Sequence, residues 1–181
     1  TSKDPAFVQV SAITEPVEKL EAKWQAAMAT DMEAPYRVAM HGGDVERGRS
    51  VFMNHAAAQC IRCHKVQDGR GSNVGPNLKE IGKKKDVAYV LESLINPQKA
   101  IAKGYGNISL TLKDGSNVAG QFRGKRDGKV IVRDAENVES KINIHDIAEE
   151  SPVVSTMPPM GFLMKKDELR DVMAFLMSLK G

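Results

Sequence analysis

The sequence predicts a mainly α domain that carries a small inserted antiparallel β meander, α+β overall, with an N-terminal helical extension. Two observations predict it. Apolar residues recur at spacings of three and four in segments near both ends of the chain and in its middle, the period of a helix face. Between about residues 105 and 147 the period falls to two, in strand-like runs about ten residues apart separated by Asp-Gly turns. The expected organisation is an extension over 1–43 and a domain over 44–181, interrupted by the 105–147 insertion.

The elements follow in order. After Thr14-Glu15-Pro16, Val17, Leu20, Trp24 and Met28 form a helical stripe. The simplest role for this helix is packing on the body of the domain. A linker from a preceding domain, or a partner-docking helix, is the sharper alternative. Gly42-Gly43 breaks the chain, and Asp44 is a good N-cap for a helix through Phe52. Gly48 inside that helix costs about 1 kcal/mol against Ala, so a close helix crossing is expected there. The expected partner is the last helix, opened by Asp167-Glu168 and carrying Leu169, Val172, Met173, Leu176 and Leu179 on one face. Between them, Asp86 caps a helix with Val90, Leu91, Leu94 and Ile95, stopped by Asn96-Pro97. The strands read as Ile108–Leu112, Val118–Phe122, Val130–Val132 and Val138–Ile144, with one apolar face expected to pack on the helical body and the insertion standing apart from the functional site.

Composition bounds the function. With 41% hydrophobic and 27% charged residues, the 181-residue chain reads as an ordinary soluble globular protein. No apolar run approaches the roughly 18 residues of a membrane span. The net charge of +3, with no dense basic patch interleaved with aromatics, argues against nucleic acid.

Cys60-Ile61-Arg62-Cys63-His64 is the attachment signature of a c-type haem. Two thiols at this spacing can add to the two vinyl groups of one porphyrin, and the adjacent imidazole can bind its iron. Cys60 and Cys63 are the only 2 cysteines, which suits one covalent haem c. A zinc site needs about four ligands, and no second Cys pair completes one. A thioredoxin-like CxxC follows a strand in a βαβ pattern, which is missing upstream, and a disulfide across so short a loop adds little stability. Attachment of haem c takes place outside the bacterial cytoplasm, and Thr1 is no initiator methionine, so a processed, periplasmic or otherwise exported protein is expected.

The iron's other axial position calls for a methionine or a histidine. Among 9 methionines most read as core filler, such as Met28, Met32, Met173 and Met177. Met157 stands in Ser155-Thr156-Met157-Pro158-Pro159, where two prolines stiffen the backbone just before the last helix. It is the leading candidate, with Met160 and then Met164 as near competitors. His55, five residues before Cys60, reads as a surface or loop-packing residue.

Gly48, Val51-Phe52, Cys60-x-x-Cys63-His64, Gly75-Pro76-Asn77-Leu78, Met157-Pro158 and the terminal apolar helix together resemble a class I c-type cytochrome in order and spacing. Asn96-Pro97, Leu112-Lys113-Asp114-Gly115 and Asp146-Ile147 narrow the resemblance to the Pirellula/Verrucomicrobium-type haem-binding domain, over about residues 44–181. The resemblance implies a cytochrome c-like helical domain, thioethers on Cys60 and Cys63, His64 as proximal ligand and Met157 as distal ligand. It also implies that the Pro76 carbonyl accepts a hydrogen bond from the other His64 nitrogen. In that family such a domain is often a module of a large periplasmic dehydrogenase-like protein. Met157 follows His64 by 93 positions, more than in a small cytochrome c, and the insertion accounts for much of the excess.

The expected function is therefore single-electron transfer between redox partners, without catalysis, as a module or partner of a periplasmic dehydrogenase. The alternative is a haem enzyme or gas sensor with an open or labile distal site, peroxidase-like in its need for a distal acid–base group. Lys65, Lys79, Lys83, Lys84, Lys85, Lys99 and Lys103 read as a solvated face that can steer an acidic-faced partner such as a dehydrogenase or terminal oxidase.

Overall fold

The computed structural model describes residues 16–66 and 69–181. The side chains of Val17 and Trp24, on the first predicted stripe, lie outside the described part, as do Thr14 and Glu15. The chain divides into two compact units, Thr1–Pro35 and Tyr36–Gly181. In the first, α1 (Val17–Thr30) starts at Pro16, whose carbonyl accepts from the Lys19 and Leu20 amides at 2.9 and 3.2 Å. Proline suits that position because it has no amide hydrogen left to satisfy. The Asp31 carboxylate just beyond the helix accepts from the Glu33 and Ala34 amides, both at 3.1 Å.

The second unit opens within a 3-10 helix, Ala34–Met40, whose Tyr36 and Ala39 are buried. Its frame is the pair α2 (Val45–Asn54) and α6 (Lys166–Ser178). The Asp44 side chain caps α2 by accepting from the Arg47 amide at 2.8 Å. Gly48 lies against α6 so closely that a Cβ there would stand 1.9 Å from the Asp171 carbonyl oxygen. The helices cross where only hydrogen fits, and Phe52 meets Phe175 one turn on, with ring centroids 5.5 Å apart. The crossing is also tied by a charge. The buried Asp171 carboxylate accepts from the Asp44 amide and from Arg47 Nε, each at 2.8 Å. The Arg47 hydrogen bond, chiefly, holds its carboxyl below the usual range. On α6, Leu169, Val172, Met173 and Leu176 are buried.

Between these helices come α3 (Cys60–Cys63), α4 (Ile81–Lys84) and α5 (Val87–Ile95). The Asp86 side chain caps α5 at the Tyr89 amide, 2.8 Å away, and Val90, Leu91, Leu94 and Ile95 form its buried face.

The remainder is sheet: β1 (Asn107–Leu112), β2 (Asn117–Arg126), β3 (Lys129–Arg133), β4 (Glu139–Asn143) and β5 (Ile147–Glu150). All neighbours are antiparallel, in the order β4-β3-β2-β1-β5. Asp127 and Gly128, at φ 50° and 69°, make the two-residue turn between β2 and β3 that the Asp-Gly signal predicts.

This sheet overturns the expectation of a mainly α, cytochrome c-like helical fold with a small meander: the chain is α+β, with a five-stranded antiparallel sheet. Two physical causes hid the extra strand content. β5 is four residues long and only Ile147 is shielded from solvent, so it carries no alternation to read; it exists because β1 offers it an edge. β2 runs on past Phe122 through a register shift between Phe122 and Gly124, which breaks the period of two. The apolar face also behaves differently from the expectation. Ile108, Leu110, Val130 and Val132 form a buried cluster, flanked by Phe122 and Ile142 among others, and every member lies on one of the five strands. The sheet thus supplies much of its own core rather than only lending a face to the helices.

Candidate functional site

A cavity of about 310 Å³, lined mostly by apolar surface, lies within the second unit, at the size of a small-molecule or cofactor site. Cys60, Cys63 and His64 line it, and so do Met157 and Met160. The structure brings together residues that are almost a hundred positions apart in the chain.

The Cys60–His64 segment is built locally. One helical turn places Cys60, Cys63 and His64 at i, i+3 and i+4, which share a face. The His64 amide closes the turn on the Cys60 carbonyl at 3.0 Å. The chain then doubles back, and the Gly75 amide donates to the Cys63 carbonyl at 2.6 Å. A Cβ on Gly75 would stand 2.6 Å from His64 Cε1, so the backbone itself forms the bed of the imidazole. His64 Nδ1 donates to the Pro76 carbonyl at 2.9 Å. A carbonyl can only accept, so Nδ1 carries the proton and Nε2 keeps its lone pair for a metal. Burial pushes the His64 pKa down, against the opposing pull of the Pro76 hydrogen bond, which favours the neutral ring that coordination requires.

The thiols are free, Cys60 buried and Cys63 exposed. Burial pushes the Cys60 thiol up to about 11. Redox-active CxxC thiols are poised the other way, with lowered pKa values. Among the described residues no group of three or more His, Cys, Asp or Glu could hold a metal ion on its own, so a protein-only zinc cage has no ligand set there.

The Met157 segment is assembled from distant parts. Met157 is half-buried, and its amide donates to Ser155 Oγ at 3.2 Å. Gln98, just after α5, grips Ser155 twice: its Nε2 donates to the Ser155 carbonyl at 2.9 Å and its Oε1 accepts from the Ser155 amide at 2.8 Å. Val154, one residue earlier, exchanges two backbone hydrogen bonds with Asn107 at 2.7 and 2.9 Å. Beyond the prolines, Met160 is buried in a short 3-10 helix, Met160–Phe162, whose Gly161 carbonyl accepts from the Tyr36 hydroxyl at 3.3 Å. Met164 is buried and does not line the cavity.

Sequence reasoning missed Gln98, Ser155, Asn107 and Tyr36 because each acts through a contact far along the chain. The one local signal was Ser155 two residues before Met157, the spacing of a side-chain-to-backbone turn.

His55 does not line the cavity. Its Nδ1 accepts from the Ala57 and Ala58 amides at 3.2 and 3.0 Å, and its Nε2 lies 3.6 Å from Glu168. It is a loop-packing residue. The lysine run is not one uniform face either. Lys84 pairs with Glu80 at 2.6 Å, Lys99 with Glu92 at 2.5 Å, and Lys85 Nζ sits 4.0 Å over the Tyr89 ring. Lys79, Lys83 and Lys103 are exposed.

No protein family matches the chain, and no curated protein matches it.

Proposed function

We propose that this chain is a mono-haem c-type cytochrome that passes single electrons between redox partners, built on an α+β frame. The observation that carries the reading is the convergence of two free thiols, a buried imidazole with Nε2 available, and Met157 on one apolar cavity. These residues fit a covalent haem c: Cys60 and Cys63 for the thioethers, His64 and Met157 for the axial positions. When bound, the haem supplies a one-electron ferrous/ferric couple. His64, oriented by Pro76 and bedded on Gly75, and Met157, fixed through Ser155, would both hold the iron, so that a substrate would have to displace one of them. A His/Met pair sets a comparatively high potential, and the apolar lining tunes it.

The haem-enzyme or gas-sensor reading needs a polar acid–base group at the distal side. His55, the residue that would have served, is engaged by Ala57, Ala58 and Glu168 away from the cavity. Exposed Lys79, Lys83 and Lys103 support an acidic-faced redox partner, a periplasmic dehydrogenase or terminal oxidase being the class that fits. No helix among the described residues is long and apolar enough to cross a membrane. A covalent haem c at this motif would go with a location in the bacterial periplasm or otherwise outside the cytoplasm, where such attachment takes place.

The test is expression with a haem c maturation system, followed by acid–acetone extraction and carbon monoxide difference spectra. The expected results are haem retained on the chain, lost from it in Cys60→Ala/Cys63→Ala, and little carbon monoxide binding by the ferrous protein. Haem passing freely into the organic phase contradicts the reading; ready carbon monoxide binding moves it to the open-site class.

A further inference from the structure

Both segments that line the cavity are tied to a single rung of the sheet. Asn107 of β1 and Gln121 of β2 are cross-strand partners. The backbone of Asn107 holds Val154, two residues before the Thr156-Met157 pair that lines the cavity. Gln121 Nε2 donates to the Val74 carbonyl at 2.7 Å, and Val74 lines the same cavity immediately before Gly75 and Pro76, which position His64. Among the hydrogen bonds of the described residues, the Met157 side is also tied to Gln98, just after α5, and the His64 side is held by its own local hydrogen bonds.

We propose that the Asn107–Gln121 rung is a brace setting how firmly Met157 is held against the haem iron, and that Gln121 is a positioning residue for the axial pair. The inference rests on the cytochrome reading. The physical basis is loop entropy. The stretch from Ser151 to Pro159 has no regular structure beyond its bridge to Asn107, so its ordering depends on a few clamps, and a weak thioether ligand competes with every other conformation of that loop. Releasing Val74 frees the His64-side loop from the rung. The two loops then lose their shared tie to the rung, although Gln121 does not line the cavity.

The experiment is done on the haem-loaded full chain, comparing wild type with Gln121→Ala, Gln121→Glu and Gln98→Ala. It follows the rate at which imidazole displaces the methionine from the ferric protein, read from loss of the weak far-red band of thioether-ligated haem. Amide hydrogen exchange at Ser155 and Met157 is measured in parallel. Gln121→Ala is expected to speed displacement about threefold to tenfold, the worth of one net hydrogen bond. Ser155 and Met157 exchange should accelerate with it, while haem content and melting temperature stay near wild type. Gln121→Glu, which keeps the size but loses the donor, should match it. Gln98→Ala should exceed both. If Gln121→Ala leaves displacement and Met157 exchange unchanged while Gln98→Ala raises them, the brace is overturned and the cytochrome reading stands. A wild-type chain that carries no covalent haem, or carries it with no thioether band, overturns the reading and the brace together.

Discussion

The two segments that bring His64 and Met157 to the cavity are held by opposite means. On the His64 side the partners of the turn and the ring lie within a few turns of chain: Cys60 closes on His64, Cys63 on Gly75, and Pro76 orients the ring. On the Met157 side the partners are Gln98, Asn107 and Tyr36, each far from Met157 along the chain. A locally held ligand costs little ordering entropy, because few residues must be fixed to place it. A remotely held one depends on the whole unit being folded, and it is therefore the side at which the site can open. The Gln121 contact is the point where the two modes of support meet.

That difference can be broken first at the remote side. Met157→Ala in the haem-loaded protein should abolish the far-red thioether band and lower the reduction potential, because the His/Met pair is what raises it. Met160→Ala should keep the band and lose about 2–5 kcal/mol of stability, the usual cost of truncating a buried methionine. Redox titration with visible spectra decides. If Met160→Ala removes the band and Met157→Ala does not, the loop presents the other sulfur.

The local side should fail in a different currency. Gly75→Ala forces a methyl group into the His64 ring and should cost about 1–3 kcal/mol, measured by denaturant unfolding of the haem-loaded protein. His64 is expected to stay bound to the iron, since thioether attachment next door keeps it in reach; a spectrum showing His64 detached would place more weight on the Gly75 bed than local support implies.

The smallest effect is expected far from the rung. Residues 125–129 form the tip of the β2–β3 hairpin, at the end of β2 away from Gln121. Shortening that turn should leave the haem spectrum unchanged and stability within about 0.5 kcal/mol, as for surface changes outside special features. Loss of the thioether band on this change alone would show that the whole sheet, rather than its Asn107–Gln121 rung, controls the Met157 loop.

The insertion shows how far periodicity carries. Four strands and the Asp127-Gly128 turn are legible because alternation and turn chemistry are properties of neighbouring residues. β5 is not, since Ile147-Ala-Glu-Glu has no pattern of its own, and the expectation of a mainly α fold failed with it. The contacts of Asn107 with Val154 and of Gln121 with Val74 were hidden for the same reason: both look like ordinary strand residues until the register pairs them and the chain returns at Val154.

What the sequence by itself determined is whatever depends on short separations: the Cys60-x-x-Cys63-His64 turn, the Asp44 and Asp86 caps, the need for Gly48 at a helix crossing, and the proline-stiffened segment around Met157. Only the tertiary structure decided that Met157 and His64 share one cavity, that Gln98 and Asn107 hold the methionine segment, and that the sheet has five strands with its own core. The reason is physical. Helical and turn geometry is set by hydrogen bonds a few residues apart, whereas a contact between residues far apart in the chain exists only once the entropy of closing the loop between them has been offset by the packing of the whole unit.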